Sequence, residues 1–223
     1  MEILFIKLIS SPLVRWLLRT RPASILLSLC LPILWRNDKL PENKDAIRFI
    51  FLTSYAATCE GLTAMSANTA SLALLLICQC KNAIVIGAEF FRNPGPFSET
   101  EGKRKLFGDR FVFAGKATST TDEEEMLVAS AKAEGKTDTI DQSIVVSNGA
   151  HSGRQAVVWE YRHPEERMYF VSTDPMLDDD PDNPMIAQQD WQVWEMVNLV
   201  GLLFYKLLGV RYFAEKNLSQ PTN

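Results

Sequence analysis

The chain has 223 residues, 47% of them apolar, a net charge of −4 and only two histidines. That length supports one proper core with little room for a second, and there is neither an internal repeat nor a basic stripe with interleaved aromatics, so a nucleic-acid binder is not expected. The four cysteines, Cys30, Cys59, Cys78 and Cys80, lack zinc-type spacing and stand in apolar or helical surroundings, which argues for a reduced, cytoplasmic location over a disulfide framework.

Residues 1–36 carry Lys7, Arg15, Arg19, Arg21 and Arg36 against Glu2, a net of +4, leaving −8 for the rest. Ile3, Leu4, Ile6, Leu8, Val14, Trp16, Leu17 and Leu18 make this segment strongly apolar. Two readings stand: helices that pack on the domain's own core, or an amphipathic helix on a membrane surface, which would place the protein at the periphery of the inner membrane. A spanning helix is not expected, because the uncharged stretch from Pro22 to Trp35 is too short and contains Pro32. A cleavable signal fits poorly, with Glu2 in the leader and no small-residue cleavage site after Leu34-Trp35. Residues 1–44 are expected to form a helical extension, and residues 45–223 the domain.

From Asp45 onward, short β-branched and apolar runs alternate with helical stretches. Strands are expected at Ile47 to Leu52, Ala83 to Gly87, Arg110 to Ala114, Ser143 to Ser147 and Met168 to Ser172. Helices are expected at Thr63 to Cys80, Glu99 to Phe107, Asp122 to Glu134 and Ser152 to Arg162, with Cys78-Gln79-Cys80 marking a helix end. This alternation predicts an α/β, Rossmann-like parallel sheet of about five strands between helices, with ligands gathering beyond the carboxyl ends of the strands.

Three strand ends carry candidate site residues. Glu89 follows the second strand, where acids contact ribose hydroxyls in dinucleotide folds, an analogy at the level of fold alone. After the third strand, Lys116, Thr118 and Ser119 offer polar groups, while Thr121 and Glu124 read as a capping box with acids complementing the helix dipole. After the fourth, Asn148-Gly149-Ala150-His151-Ser152-Gly153-Arg154 leads from a buried-type strand into a helix. A helix N-terminus favours negative charge, and Arg154 adds a planar donor fork for phosphate or carboxylate beside His151. The competing explanation is a capping box of Ser152 and Gln155 with no ligand. His163, next to Pro164, is expected at the surface.

Near the C-terminus, Trp191, Trp194, Val197, Val200, Phe204, Leu207 and Leu208 recur at helical spacing and predict a closing helix that ends at Gly209. Glu195 within it is expected to face solvent. The acidic, proline-rich stretch from Asp174 to Pro184 reads as a solvated loop, since Asn183 and Gln189 stand where a calcium loop needs Gly and Glu. No P-loop, dinucleotide glycine motif, zinc-protease helix or nucleophile elbow occurs, and no metal site is expected.

Three separated elements resemble the YdcF-like family, whose relatives include SanA and ElyC and whose domain has been catalogued as one of unknown function. They are the His151/Arg154 turn, the Thr118-Ser119-Thr120-Thr121-Asp122-Glu123-Glu124 loop, and Trp194-Glu195 through Gly201, Tyr205 and Gly209. The resemblance covers about Asp45 to Gly209. The chain departs from the family where Leu52-Thr53-Ser54-Tyr55-Ala56-Ala57 and Gly87-Ala88 replace glycine turns, and where Glu124 replaces Asn. The resemblance implies a link to bacterial envelope biogenesis and an adenosyl-type ligand such as S-adenosylmethionine. The expected function is binding of a small anionic or nucleotide-like ligand, by an enzyme of undefined reaction or by a non-catalytic module that retains the fold. His151 and Arg154 would contact the anion, His151 being the candidate proton carrier, with Thr118, Thr121, Glu89, Asn148 and Ser152 as supporting polar groups.

Overall fold

The computed structural model describes residues 20–22, 25, 26, 29, 35–58, 60–91, 97–118 and 120–174. Five strands, β1 (Phe49–Leu52), β2 (Ile84–Phe90), β3 (Phe111–Ala117), β4 (Ser143–Asn148) and β5 (Met168–Thr173), form one parallel sheet in the order β3-β2-β1-β4-β5. Four helices alternate with them: α1 (Ala64–Gln79), α2 (Glu99–Phe107), α3 (Thr120–Gly135) and α4 (Gly149–Arg162). All five expected strands are present, so the α/β Rossmann-like architecture is established for the described residues. The closing helix, the acidic loop beyond Asp174 and most of residues 1–34 lie outside them.

The two faces of the sheet bury separate cores. On one, Ile50, Leu52, Val85, Ile144 and Val146 pack against Ala70, Ala73, Leu76 and Ile77 of α1 and Phe107 of α2. On the other, Phe51, Ile86 and Val145 pack against Leu127 and Ala131 of α3 and Ala156 and Trp159 of α4. Alternate residues of β1 serve opposite cores, and both central strands are buried along their whole length, as a covered parallel sheet requires.

Local chemistry sets the helix ends. Thr63 caps α1, its side chain accepting from Ser66 N, and Ser98 caps α2 through Glu101 N. α1 has no basic residue in its last turn. Arg110, arriving just before β3, instead donates to the carbonyls of Ile77, Cys80, Lys81 and Ala83 and satisfies that terminus. Gly115, at φ 144°, sits in β3 where the β2–β3 register shifts at Gly87/Ala88, a bulge that a side chain would strain.

β5 is an outer strand, and residues 35–38 run along it. Asp38 N donates to Phe170 O at 2.7 Å and its carboxylate accepts from Phe170 N, while Ser172 hydroxyl donates to Arg36 O. The Trp35 indole also bonds Ser172. The end of the N-terminal extension therefore shields a strand edge that would otherwise offer unpaired backbone groups. No described helix is long and apolar enough to cross a membrane.

Candidate functional site

The strand order reverses between β1 and β4: the chain leaves β1 for α1 on one face, and leaves β4 for α4 on the other. Such a divergence opens a crevice at the carboxyl ends of the two strands. Thr53 holds the pair together to the last moment, both its N–H and its hydroxyl donating to Val146 O at 3.2 and 3.0 Å.

Tyr55 crosses the crevice mouth. Its hydroxyl accepts from Asn148 N at 2.8 Å and bonds Ser147 Oγ at 2.9 Å, and Ser147 in turn donates to Asn148 O. The Tyr55 ring stacks on the His151 imidazole, with centroids 5.4 Å apart and planes 22° from parallel. Burial pushes the phenol up to about 12, against the pull of its hydrogen bonds, so it stays a neutral donor. The following residue, Ala56, has φ 70°, a left-handed conformation that glycine adopts without strain. The loop turns here without a glycine, and Thr63 pins it by donating to Tyr55 O and Ala56 O.

Beneath this loop lies a buried polar cluster. Ser54 N donates to Glu123 Oε1 at 2.5 Å, and Ser54 Oγ donates to Glu99 Oε2 at 2.6 Å. Ser54, two residues after β1, thus joins a carboxylate from α2 to a carboxyl from α3, helices on opposite faces of the sheet. Glu99 also accepts from Tyr55 N, Ser66 Oγ and Phe90 N, and pairs with Lys103 at 2.9 Å, neither side chain being exposed. Burial pushes the Glu99 carboxyl up, but Lys103 and the surrounding donors outweigh it and hold the group below its ordinary value. Glu123, 6% exposed, goes the other way. Burial raises it to about 7, further than Lys103 and Ser54 N–H pull it back, and Glu99 adds to the rise. Two neighbouring carboxyls driven apart in this way divide into a permanent anion and a group able to gain or lose a proton near neutrality.

α4 supplies the opposite wall. It begins at Gly149, three residues earlier than the sequence suggests, which places His151 and Arg154 inside its first turns. Arg154 Nη2 lies 2.9 Å from His151 Nδ1. Because a guanidinium only donates, Nδ1 must accept, and the ring proton sits on Nε2. His151 is 2% exposed and Arg154 half-buried. Gln155, the next residue, donates to Glu123 Oε2 at 3.5 Å and accepts from the Trp159 indole at 3.1 Å. The wall carrying His151 and Arg154 is therefore linked to the Ser54–Glu123–Glu99 cluster.

The capping-box explanation of this turn does not hold. Ser152 lies within α4, donates to Gly149 O and accepts from Arg36 N, while Gln155 is occupied as just described. The same correction applies at α3: Thr121 is buried within the helix, Asp122 closes the turn by accepting from Thr118 N and Oγ, and Glu124 faces inward. Glu124 clamps α3 to the end of α4 through Arg162 Nε at 2.9 Å and through His163. His163 is thus no free surface residue, its side chain being only 17% exposed.

The remaining candidates divide between the two sides of the sheet. Asn148 lies at the crevice, its backbone on Tyr55 and its amide 3.4 Å from Thr173 Oγ1. Ser152 sits at the junction of α4 with residue 36. Glu89 and Thr118 belong to the β2/β3 side, separated from β4 by β1. β2 runs three residues beyond its expected end, so Glu89 is inside the strand, where its carboxylate accepts from Thr100 Oγ1 at 2.6 Å with Lys116 4.0 Å away. Sequence reasoning missed Ser54, Tyr55, Glu99, Lys103, Glu123 and Gln155. A signal for Glu123 existed: it shares the four-residue spacing of Leu127 and Ala131, both fully buried, which puts it on the inward stripe of α3.

Among known proteins, the chain matches no family model, no curated protein and no solved structure.

Proposed function

We propose that the crevice between β1 and β4 binds a small anionic or nucleotide-like ligand. The observation that carries this reading is the placement of His151 and Arg154 in the first turns of α4, at the point where the strand order reverses. Arg154 offers a bidentate donor fork, His151 a ring N–H, and the α4 N-terminus its dipole. The nearby carboxyl of Glu123 gives such a site a group for acid–base chemistry, which supports an enzyme of as yet undefined reaction. The YdcF-like resemblance points the same way and adds envelope biogenesis and an adenosyl-type ligand, S-adenosylmethionine or a nucleotide, to the proposal. In this reading the protein works on the cytoplasmic side, with residues 1–36 touching the inner membrane. Ile25, Leu26 and Leu29 support that contact, being helical yet 60, 51 and 67% exposed.

A second reading, a non-catalytic module, is favoured by one observation: Tyr55 lies on His151 and ties down the β4–α4 turn. A thermal-shift screen of nucleotides, S-adenosylmethionine and sugar phosphates separates the two. A ligand at 100 times its Kd adds about 2.7 kcal/mol to stability, and Arg154→Ala is expected to weaken its binding by about 2 kcal/mol with the fold intact. Arg154→Lys should recover part of that loss. A stabilising ligand that binds Arg154→Ala as tightly as wild type would remove the crevice from consideration, and no ligand at all would favour the module.

A further inference from the structure

We propose that Glu123 is the acid of the crevice, a carboxyl that keeps its proton while an anion occupies the first turn of α4, so that anion and proton are bound together. This rests on the anion site proposed above. The geometry is that of a buried carboxyl for which the cation acting on it among the described residues, Lys103, is committed elsewhere. Lys103 Nζ is taken up by Glu99 at 2.9 Å and by Ala88 O at 2.8 Å, and among the described residues Glu123 has no ion pair of its own. An ionised carboxyl buried without an ion pair of its own is costly, and the two donors that reach it, Ser54 N–H and the Gln155 amide, offset only part of that cost. Ionisation would also set a second negative charge beside that of Glu99. An anion held by Arg154, one residue from Gln155, would bring a third.

The groups facing Glu123 allow the coupling to be assigned. From α2 come Glu99 and Lys103; from the loop after β1, the Tyr55 phenol; from α4, Gln155, with Arg154 the residue before it and His151 one turn earlier. On α3 itself, Asp122 is held by Thr118, and Glu124 by Arg162 and His163. Of these, Tyr55 stays neutral across the working range, and Glu99 is held ionised by Lys103. His151 is the competing proton carrier, but protonating Nδ1 would break its bond from Arg154.

Sulfate, a dianion at all working pH values, is the probe. Isothermal titration calorimetry at pH 7 in two buffers of different ionisation enthalpy should show uptake of up to about half a proton per sulfate, and affinity should rise about fivefold from pH 8 to pH 6. Glu123→Gln should bind sulfate with no proton uptake and little pH dependence, while His151→Asn should retain the uptake. If Glu123→Gln does not fold, carboxyl carbon NMR of the wild-type chain carries the test: one glutamate titrating near neutrality must hold its proton to higher pH when sulfate is added. Sulfate binding without proton uptake would overturn this inference and leave the anion site standing. Uptake that survives Glu123→Gln but disappears in His151→Asn would assign the proton to the imidazole and overturn it as well. No sulfate binding at all would remove the anion site and the inference together.

Discussion

Glu123→Gln should change how folding stability depends on pH, and the sign follows from the environment of the carboxyl. In the unfolded chain the group has its ordinary value of 4.5; folding raises it to about 7. Between those values the folded state binds more protons than the unfolded state, so the contribution of Glu123 to stability is full below about pH 4.5 and is lost as pH rises through 7. A shift of that size corresponds to about 3 kcal/mol across the window, a sizeable part of the 5–15 kcal/mol typical of a domain. Glutamine keeps the shape and removes the titration. Urea unfolding of both proteins at pH 5, 6, 7 and 8 reads the difference. The wild type should lose stability steadily across the series, and the variant should be nearly flat and gain on the wild type towards pH 8. Glu99 works in the opposite sense but in another window, its stabilisation being lost as pH falls below its ordinary range. Wild-type stability that rises between pH 5 and 7, or a fall that persists unchanged in Glu123→Gln, would refute the assignment of the buried proton.

Lys103→Met should cost about 3–5 kcal/mol, because it leaves the Glu99 carboxylate buried without its cation; adding Glu99→Gln should restore much of that loss, and chemical denaturation of both variants measures it. Ala56→Gly should be close to neutral, within about 1 kcal/mol, since relief of the left-handed backbone offsets the loss of a buried methyl and the added chain entropy. The same substitution at Ala70, buried in the middle of α1, should cost clearly more, and equal effects at the two sites would discount strain at Ala56. Membrane contact by residues 1–36 should appear as salt-sensitive co-flotation with anionic vesicles that is lost on deleting the segment, whereas a deletion that makes the protein insoluble supports packing on the domain instead.

Much of the architecture was legible in the sequence because it rests on local signals. β-Branched runs such as Ile144-Val145-Val146 specify strands, helical spacing marks the stretches between them, and the alternation of the two types implies a parallel sheet. The turn carrying His151 and Arg154 was visible for the same reason. Its capping-box alternative could not be dismissed from sequence, since Ser152-x-x-Gln155 reads identically at the start of a helix or one turn inside it. Only the start of α4 at Gly149 decides between them. The strand order was likewise decided by tertiary pairing, and with it the position of the crevice between β1 and β4. The polar cluster beneath that crevice depends on the fold entirely. Ser54 and Glu123 are 69 positions apart, and what distinguishes Glu123 from the equally buried Glu124 is neighbouring charge: Arg162 pairs with Glu124, while Glu99 and a committed Lys103 stand beside Glu123. A run of four acids near the start of a helix, two of them in its first turn, states its local role, complementing the dipole, in the residues themselves. Which of them is buried, and which then holds a proton, is set by charges and packing that reach it only when distant segments meet.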